Sequence, residues 1–223
     1  MKTKKQAAEI TRLLEQAYPI AECTLDTSNA WQLLVSVRLA AQCTDARVNM
    51  ITPILFAKYP TINALADAPL EDITEIVKPC GLGNSKARDI KRCMTMLRDK
   101  YNSIVPDTME ELLKLPGVGR KSANLILGDI YGQPAVVADT HCIRISNRLG
   151  FMKKSDKNSK DPVHVEMRLR KVLPMDKRND TCHRFVLHGR EVCTRRSPHC
   201  DNCILNPVCD YRKSLEKAAK GEK

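Results

Sequence analysis

Two glycines one residue apart, set between segments patterned as helices, restrict this chain more than any other feature. They lie in Leu115-Pro116-Gly117-Val118-Gly119-Arg120-Lys121-Ser122-Ala123-Asn124. The glycines predict a tight turn and a new helix beginning at Arg120, so the first-turn amides and the positive end of the helix dipole face outward, where an anion is attracted. Upstream, Thr108 with Glu111 reads as a capping box that opens a short helix through Leu112, Leu113 and Leu115. Downstream, Ala123, Ile126, Leu127 and Ile130 recur at i, i+3, i+4 and i+7, one apolar face of a helix. The unit is therefore helix, two-glycine hairpin, helix, with Lys121 just inside the second helix. A phosphate-binding P-loop is excluded, because Arg120 separates Gly119 from Lys121 and a helix, not a strand, precedes the turn.

The 223 residues suffice for one large domain or two modest ones, and the net charge of +11 points to a polyanionic partner, most simply nucleic acid. The charge is uneven: residues 86–100 carry six basic and two acidic side chains, whereas residues 60–79 carry one basic and four acidic. The opening Met1-Lys2-Thr3-Lys4-Lys5 resembles the start of a signal peptide, but Glu9, Arg12 and Glu15 occupy the place of its apolar core. No run reaches the ~18 apolar residues of a membrane span, so the expectation is a soluble intracellular protein. In that setting the ten cysteines imply core thiols plus a possible metal site.

Residues 4–17 read as an amphipathic helix with Ala7, Ile10, Leu14 and Ala17 on one stripe. Residues 30–41 are nearly all apolar and too long for a strand, which predicts a buried helix. Asp45 is the expected cap of the next helix, Thr61 and Pro69 start two short ones, and Ser85 caps a helix through Ile90, Met94 and Leu97. Leu82, between two glycines, is either a minor core contact or a wedge for a base stack. Asp139 is the expected N-cap of a helix ending at Gly150. Residues 153–160 form a basic loop, and Asp161-Pro162 and Asp180 open two more helices. The end of the chain from Arg212 reads as a frayed charged tail, and nothing reads as a sheet.

Cys193, Cys200, Cys203 and Cys209 have the spacing C-x6-C-x2-C-x5-C. So short and apolar-poor a segment needs something other than a hydrophobic core to order it, and four thiolates around one metal centre would do so where unligated thiols on an irregular loop would not; zinc and a four-iron four-sulfur cluster both accept such a set. Cys23, Cys43, Cys80, Cys93, Cys142 and Cys182 are scattered and read as core. The hairpin suits a DNA phosphate approaching backbone amides. Lys121 is then a second phosphate contact or, if the helix end and Arg120 favour its neutral form, a nucleophile. Asp139 is an ordinary cap or a cap whose second oxygen serves chemistry.

The segment Leu115–Lys121, the run Val137-Ala138-Asp139-Thr140-His141 and the cysteine spacing together resemble the endonuclease III family. The likeness extends through Ala41-Gln42-Cys43-Thr44-Asp45, Gly81-Leu82-Gly83-Asn84-Ser85-Lys86 and Leu187-His188-Gly189-Arg190, nearly the whole chain. It implies an all-α fold of two helical domains: a six-helix domain at 23–133 carrying the helix-hairpin-helix, and a cluster domain from 1–22 and 134–223. It implies base excision repair by a bifunctional DNA glycosylase that removes oxidised pyrimidines and cleaves the abasic site by β-elimination through a lysine Schiff base. By the same likeness Lys121 is the nucleophile, Asp139 the essential carboxylate, and Gln42 and Leu82 the duplex-probing residues. Gly117, Gly119, Arg120 and His141 join them in DNA binding, and the four cysteines bind one [4Fe-4S] cluster, which now outranks zinc.

The partner implied is double-stranded DNA with damaged pyrimidines or abasic sites. The protein implied is a monomer, not membrane-bound, cytoplasmic, and associated with the nucleoid if prokaryotic. Relatives that remove mismatched adenine or thymine generally lack lysine at position 121, and relatives often carry an aromatic residue where Gly83 stands. A non-enzymatic DNA-binding module and a redox sensor are the competing readings.

Overall fold

The computed structural model describes residues 1–153 and 155–220, and the regular structure among them is entirely helical. In chain order the helices are α1 (Lys4–Ala17), α2 (Ala30–Ala40), α3 (Asp45–Lys58), α4 (Ile62–Asp67), α5 (Leu70–Val77) and α6 (Gly83–Tyr101). They are followed by α7 (Met109–Leu112), α8 (Arg120–Asp129), α9 (Thr140–Leu149), α10 (Pro162–Val172), α11 (Arg178–Glu191) and α12 (Asp210–Ala219). The chain separates into two compact units, Cys23–Gly132 on the one hand and Met1–Glu22 with Gln133–Lys223 on the other. Among the described residues no helix is long and apolar enough to cross a membrane.

The unit Cys23–Gly132 contains α2–α8. Leu33, Leu34, Val35 and Leu39 of α2 are buried, as the unbroken apolar run requires. α4 and α5 pack on α6, whose inward stripe is Lys86, Ile90, Met94 and Leu97. Burial of each of the large aliphatic side chains on that stripe contributes roughly 1.5–3 kcal/mol. Several helix starts differ from expectation by one or two residues. Thr44, not Asp45, caps α3, its hydroxyl accepting from the Arg47 amide, and Asp45 sits in the first turn, where its charge favours the dipole. Pro69 is the N-cap of α5. α6 begins at Gly83 after Leu82 in a left-handed conformation, so Ser85 lies inside the helix and its hydroxyl accepts from Arg38 instead. Thr108 caps α7, but the Glu111 carboxylate accepts from Tyr101 and pairs with Lys114. Ile130 closes the α8 stripe partly exposed.

In the second unit, Thr3 and Gln6 form a capping box at α1, and Ala7, Ile10 and Leu14 are buried, whereas Ala17 is exposed. The amino-terminal segment is stitched to the carboxy-terminal half. Lys2 pairs with Asp210 at 2.6 Å, Arg168 donates to Lys2 O, and Arg184 donates to Tyr18 O. α11 packs against α9 and begins at Arg178, with Asp180 in its first turn, not at its cap. The end of the chain is not frayed over residues 210–219. Arg212 pairs with Asp201 at 2.9 Å and with Glu216, and Arg148 lies over the Tyr211 ring, so α12 is ordered by charge and not by an apolar stripe. Within the basic loop at 153–160, Lys154 lies outside the described residues, as do residues 221–223.

Candidate functional site

The hairpin between α7 and α8 is shaped by what its glycines allow. Gly117 has φ +76°, and a Cβ there would lie 2.9 Å from Arg38 Cδ and 3.0 Å from Asp89 Cβ. The turn Pro116-Gly117-Val118 therefore sits directly on α2 and α6, where Arg38 donates to Asp89 at 2.8 Å. Gly119 is the N-cap of α8 in extended backbone, with open space where its Cβ would be and no side chain capping the amides that follow. Lys121, the second residue of α8, is exposed, and Arg120 is half-buried. Four non-glycine residues of the same unit stand in left-handed backbone, Gln42 at φ 57°, Leu82 at φ 50°, Asn102 at φ 51° and Ser103 at φ 58°; of these Leu82 is the bulky apolar one, in a conformation such residues rarely adopt. Leu82 is 57% exposed, which removes the minor core contact as an explanation for it. Strain of this kind is characteristic of functional positions.

Asp139 follows a buried approach, Val137-Ala138, and caps α9: its Oδ1 accepts from the Cys142 amide at 2.6 Å. His141, in the first turn of α9, is half-buried. Its Nδ1 accepts from Arg144, because a guanidinium only donates. Arg144 also donates to Gly189 O at 2.9 Å, and a Cβ on Gly189 would stand 2.4 Å from His141 Nδ1. Close approach of α11 to α9 is thus why glycine occupies position 189.

The four carboxy-terminal cysteines line one small cavity together with Arg148, His188 and Leu205. Arg148 holds the start of this loop, donating to Cys193 Sγ at 3.2 Å, Thr194 O at 2.7 Å and Arg195 O at 3.0 Å. His188, buried, meets Cys203 Sγ at 3.5 Å through Nε2, and burial pulls its pKa down to about 4. Burial, with the neighbouring cysteines adding, pushes the Cys203 thiol up to about 11 and raises Cys200. Among the described residues no three His, Cys, Asp or Glu side chains converge tightly enough to hold a single metal ion. The donors surround the cavity; they do not meet at a point in it. Of the other cysteines, Cys80, Cys93, Cys142 and Cys182 are core, but Cys23 and Cys43 are only half-buried.

The structure thus gathers Gln42, Leu82, Gly117, Gly119, Arg120 and Lys121 in the unit Cys23–Gly132, and Asp139, His141 and the four cysteines in the other. Sequence reasoning did not single out Lys86, which is fully buried with Nζ bonded to two carbonyls, nor the Arg38–Asp89 pair and Arg148. A signal for Lys86 existed, since it stands four residues before Ile90 on the apolar stripe.

A hairpin of this build in an all-helical chain defines a class of protein. Residues 35–175 match the model of the HhH-GPD superfamily base excision DNA repair proteins. Endonuclease III of Synechocystis sp. is 43% identical over 212 residues, covering 94% of both chains. Endonuclease III of Escherichia coli (strain K12) is 36% identical over 213 residues, covering 96% of this chain and 99% of that one. Among solved structures, a trapped endonuclease III–DNA covalent intermediate and a non-covalent endonuclease III–DNA complex each match with TM-score 0.88 at 40% identity, over 97% of this chain and 100% of theirs. A thermostable thymine-DNA glycosylase shares the fold, with TM-score 0.84 at 21% identity. The chain belongs to the endonuclease III family.

Proposed function

We propose that this protein is a bifunctional DNA glycosylase and abasic-site lyase, acting in base excision repair on duplex DNA that contains oxidised pyrimidines. The observation that carries the reading is Lys121: an exposed primary amine in the first turn of a helix whose amides no side chain caps, behind a turn only glycine can make. A base inside the stack is out of reach, so the damaged nucleotide is extruded, at a cost of a few kcal/mol that is smaller for a poorly stacked base. Gln42 and Leu82, exposed and already held in left-handed backbone, are suited to fill the space it leaves. The hairpin amides and Arg120 grip phosphate without reading sequence.

The unprotonated Lys121 amine attacks the sugar C1′ and the base departs, taking up a proton. Asp139 carries the negative charge that favours the cationic sugar while the bond breaks. The resulting Schiff base acidifies the C2′ proton; its removal expels the 3′ phosphate by β-elimination. Hydrolysis by water would stop at the abasic site, so lysine is what adds strand cleavage.

Cys193, Cys200, Cys203 and Cys209 hold one [4Fe-4S] cluster in this reading, which is supported by the four thiols lining one cavity and by their spacing in the sequence. A cluster held there would order residues 193–209, so that the exposed Arg190, Arg195 and Arg196 would meet phosphate. The unit Met1–Glu22 with Gln133–Lys223 is then the cluster domain and Cys23–Gly132 the hairpin domain. The test is product analysis on a duplex with a single oxidised pyrimidine. Free base and a 3′ unsaturated aldehyde end are expected; free base with an intact abasic strand would leave a monofunctional glycosylase.

A further inference from the structure

The turns that carry Gln42 and Leu82 are held from inside by one residue. Lys86 is fully buried, and its Nζ donates to Leu39 O and to Cys80 O, each at 2.8 Å. Leu39 is in the last turn of α2, and Cys80 ends the 3₁₀ turn Lys78–Cys80. The Cys43 amide closes the turn over Gln42 by donating to Ala40 O at 3.1 Å, so the end of α2 fixes where Gln42 stands. On the other side the Lys86 amide donates to Leu82 O at 3.0 Å, and a Cβ on Gly83 would lie 3.2 Å from Lys78 Cα. The Leu82 turn thus lies directly on the 3₁₀ turn. A single lysine bonds both, its main chain to Leu82 and its ammonium to Cys80 and the end of α2.

A helix end leaves carbonyls without intrahelical partners, and a buried one needs a donor. Lysine carries its three donors on one atom, so two carbonyls bonded to that atom are held at a fixed separation. Burying a charge is costly, and an apolar side chain at this place on the α6 stripe, in line with Ile90 and Met94, would avoid that cost. What the ammonium supplies instead is direction: it locks two turns far apart in sequence into one geometry. Left-handed backbone at a bulky residue such as Leu82 persists only where its surroundings over-determine it, and these bonds provide that constraint.

We infer that Lys86 is a positioning residue that makes Gln42 and Leu82 engage the duplex as one unit, not as two independent contacts. The inference rests on the proposed role of those two residues in the duplex. Lys86 itself has no exposed surface and touches no DNA. A displacement of either turn is passed to the other through Nζ. Loss of one probing side chain therefore leaves the other less well seated, and the second loss adds little. Without the ammonium each turn finds its own position, and the two losses become independent.

The experiment uses the full-length protein with any metal it holds left in place. Fluorescence anisotropy gives the affinity for a duplex with a stable abasic-site analogue and for the undamaged duplex. The proteins are the parent, Gln42→Ala, Leu82→Ala and the double variant, then the same four with Lys86→Met, each measured below its melting temperature. In the parent background the double variant should lose at least about threefold less affinity for the analogue than the product of the single losses. With Lys86→Met the losses should multiply to within about twofold. Lys86→Met alone should weaken the analogue complex at least about threefold and leave affinity for undamaged duplex, gripped by the hairpin, unchanged. Should Lys86→Met fail to fold, Lys86→Gln, one atom shorter and uncharged, carries the same expectations, and the cycle in the parent needs neither. Losses that multiply in the parent, coupling that survives without Lys86, or a Lys86→Met loss equal on the two duplexes would overturn the inference. Single variants that bind the analogue as the parent does would overturn the probing role of Gln42 and Leu82, and the inference with it, while leaving the Lys121 chemistry untouched.

Discussion

Replacing Gly117 with alanine separates the shape of the hairpin from its contact with DNA. At φ +76° an alanine pays about 1–2 kcal/mol for the left-handed backbone. Its Cβ would also meet Arg38 Cδ at 2.9 Å and Asp89 Cβ at 3.0 Å, so the pair that donates at 2.8 Å must shift. Overpacking of this kind adds about 1–3 kcal/mol, for a total of roughly 2–4 kcal/mol when Arg38 partly yields. That predicts a melting temperature lower by roughly 5–15 °C. Gly119→Ala is the control: its backbone is extended and no atom lies within 4 Å of the added Cβ. A weaker N-cap and a less flexible unfolded chain, each worth about 0.5–1 kcal/mol, nearly cancel there. In the proposed DNA complex the extra methyl at Gly119 would stand where a phosphate approaches, so binding should fall at least several-fold while the melt is unchanged. The assay is a thermal melt beside fluorescence anisotropy on duplex DNA. Equal melting temperatures for both variants, or a larger loss at Gly119, would refute the argument that Gly117 is the position the fold requires.

Asp139→Asn keeps an equally good N-cap. Its melt should stay within about 0.5 kcal/mol of the parent while strand cleavage is lost, whereas Asp139→Ala should lose about 1 kcal/mol as well; full cleavage by the asparagine variant would reduce Asp139 to a cap. Lys86→Met leaves Leu39 O and Cys80 O unbonded inside the core and should destabilise by about 2–5 kcal/mol, read by urea unfolding. Gly189→Ala places a methyl 2.4 Å from His141 Nδ1 and 2.8 Å from an Arg144 nitrogen. It should cost about 1–3 kcal/mol, and an unchanged melt would contradict the close α9–α11 packing. Removal of the proposed cluster should raise hydrogen exchange across residues 193–209 and weaken DNA binding while α2–α8 stay protected; uniform exchange throughout would show that the loop is not what such a cluster orders.

Where apolar periodicity was strong, the sequence was readable nearly to the residue. α1, α2 and α9 lie within a residue of the expected ranges, α1 from its apolar stripe, α2 from its unbroken apolar run and α9 from its Asp139 cap and Gly150 stop. Cap choice was harder. Thr44 and Asp45 both accept amide bonds well, and which one leaves helical backbone is settled by tertiary contact: Asp45 accepts from the Thr24 hydroxyl. α12 was unreadable by hydrophobic pattern because none of its residues is buried and two of its partners, Arg148 and Lys2, lie far away in sequence. Lys86 carries the same lesson. A lysine on an apolar stripe reads as a solvated interruption unless the carbonyls it reaches, at the end of α2 and in the 3₁₀ turn, are already in view. The hairpin was legible because glycine spacing is local, and the four cysteines because their spacing is.

In the proposed chemistry the Lys121 amine bonds covalently to the sugar of the damaged nucleotide. Sodium borohydride added during turnover of an abasic-site duplex reduces a Schiff base to a stable secondary amine. The expected product is a covalent protein–DNA complex whose adduct maps by peptide sequencing to Lys121, with none from Lys121→Gln, a change at an exposed side chain that leaves the fold intact. A cross-link of equal yield from the Lys121→Gln protein, or an adduct mapped to another amine in the parent, would contradict it.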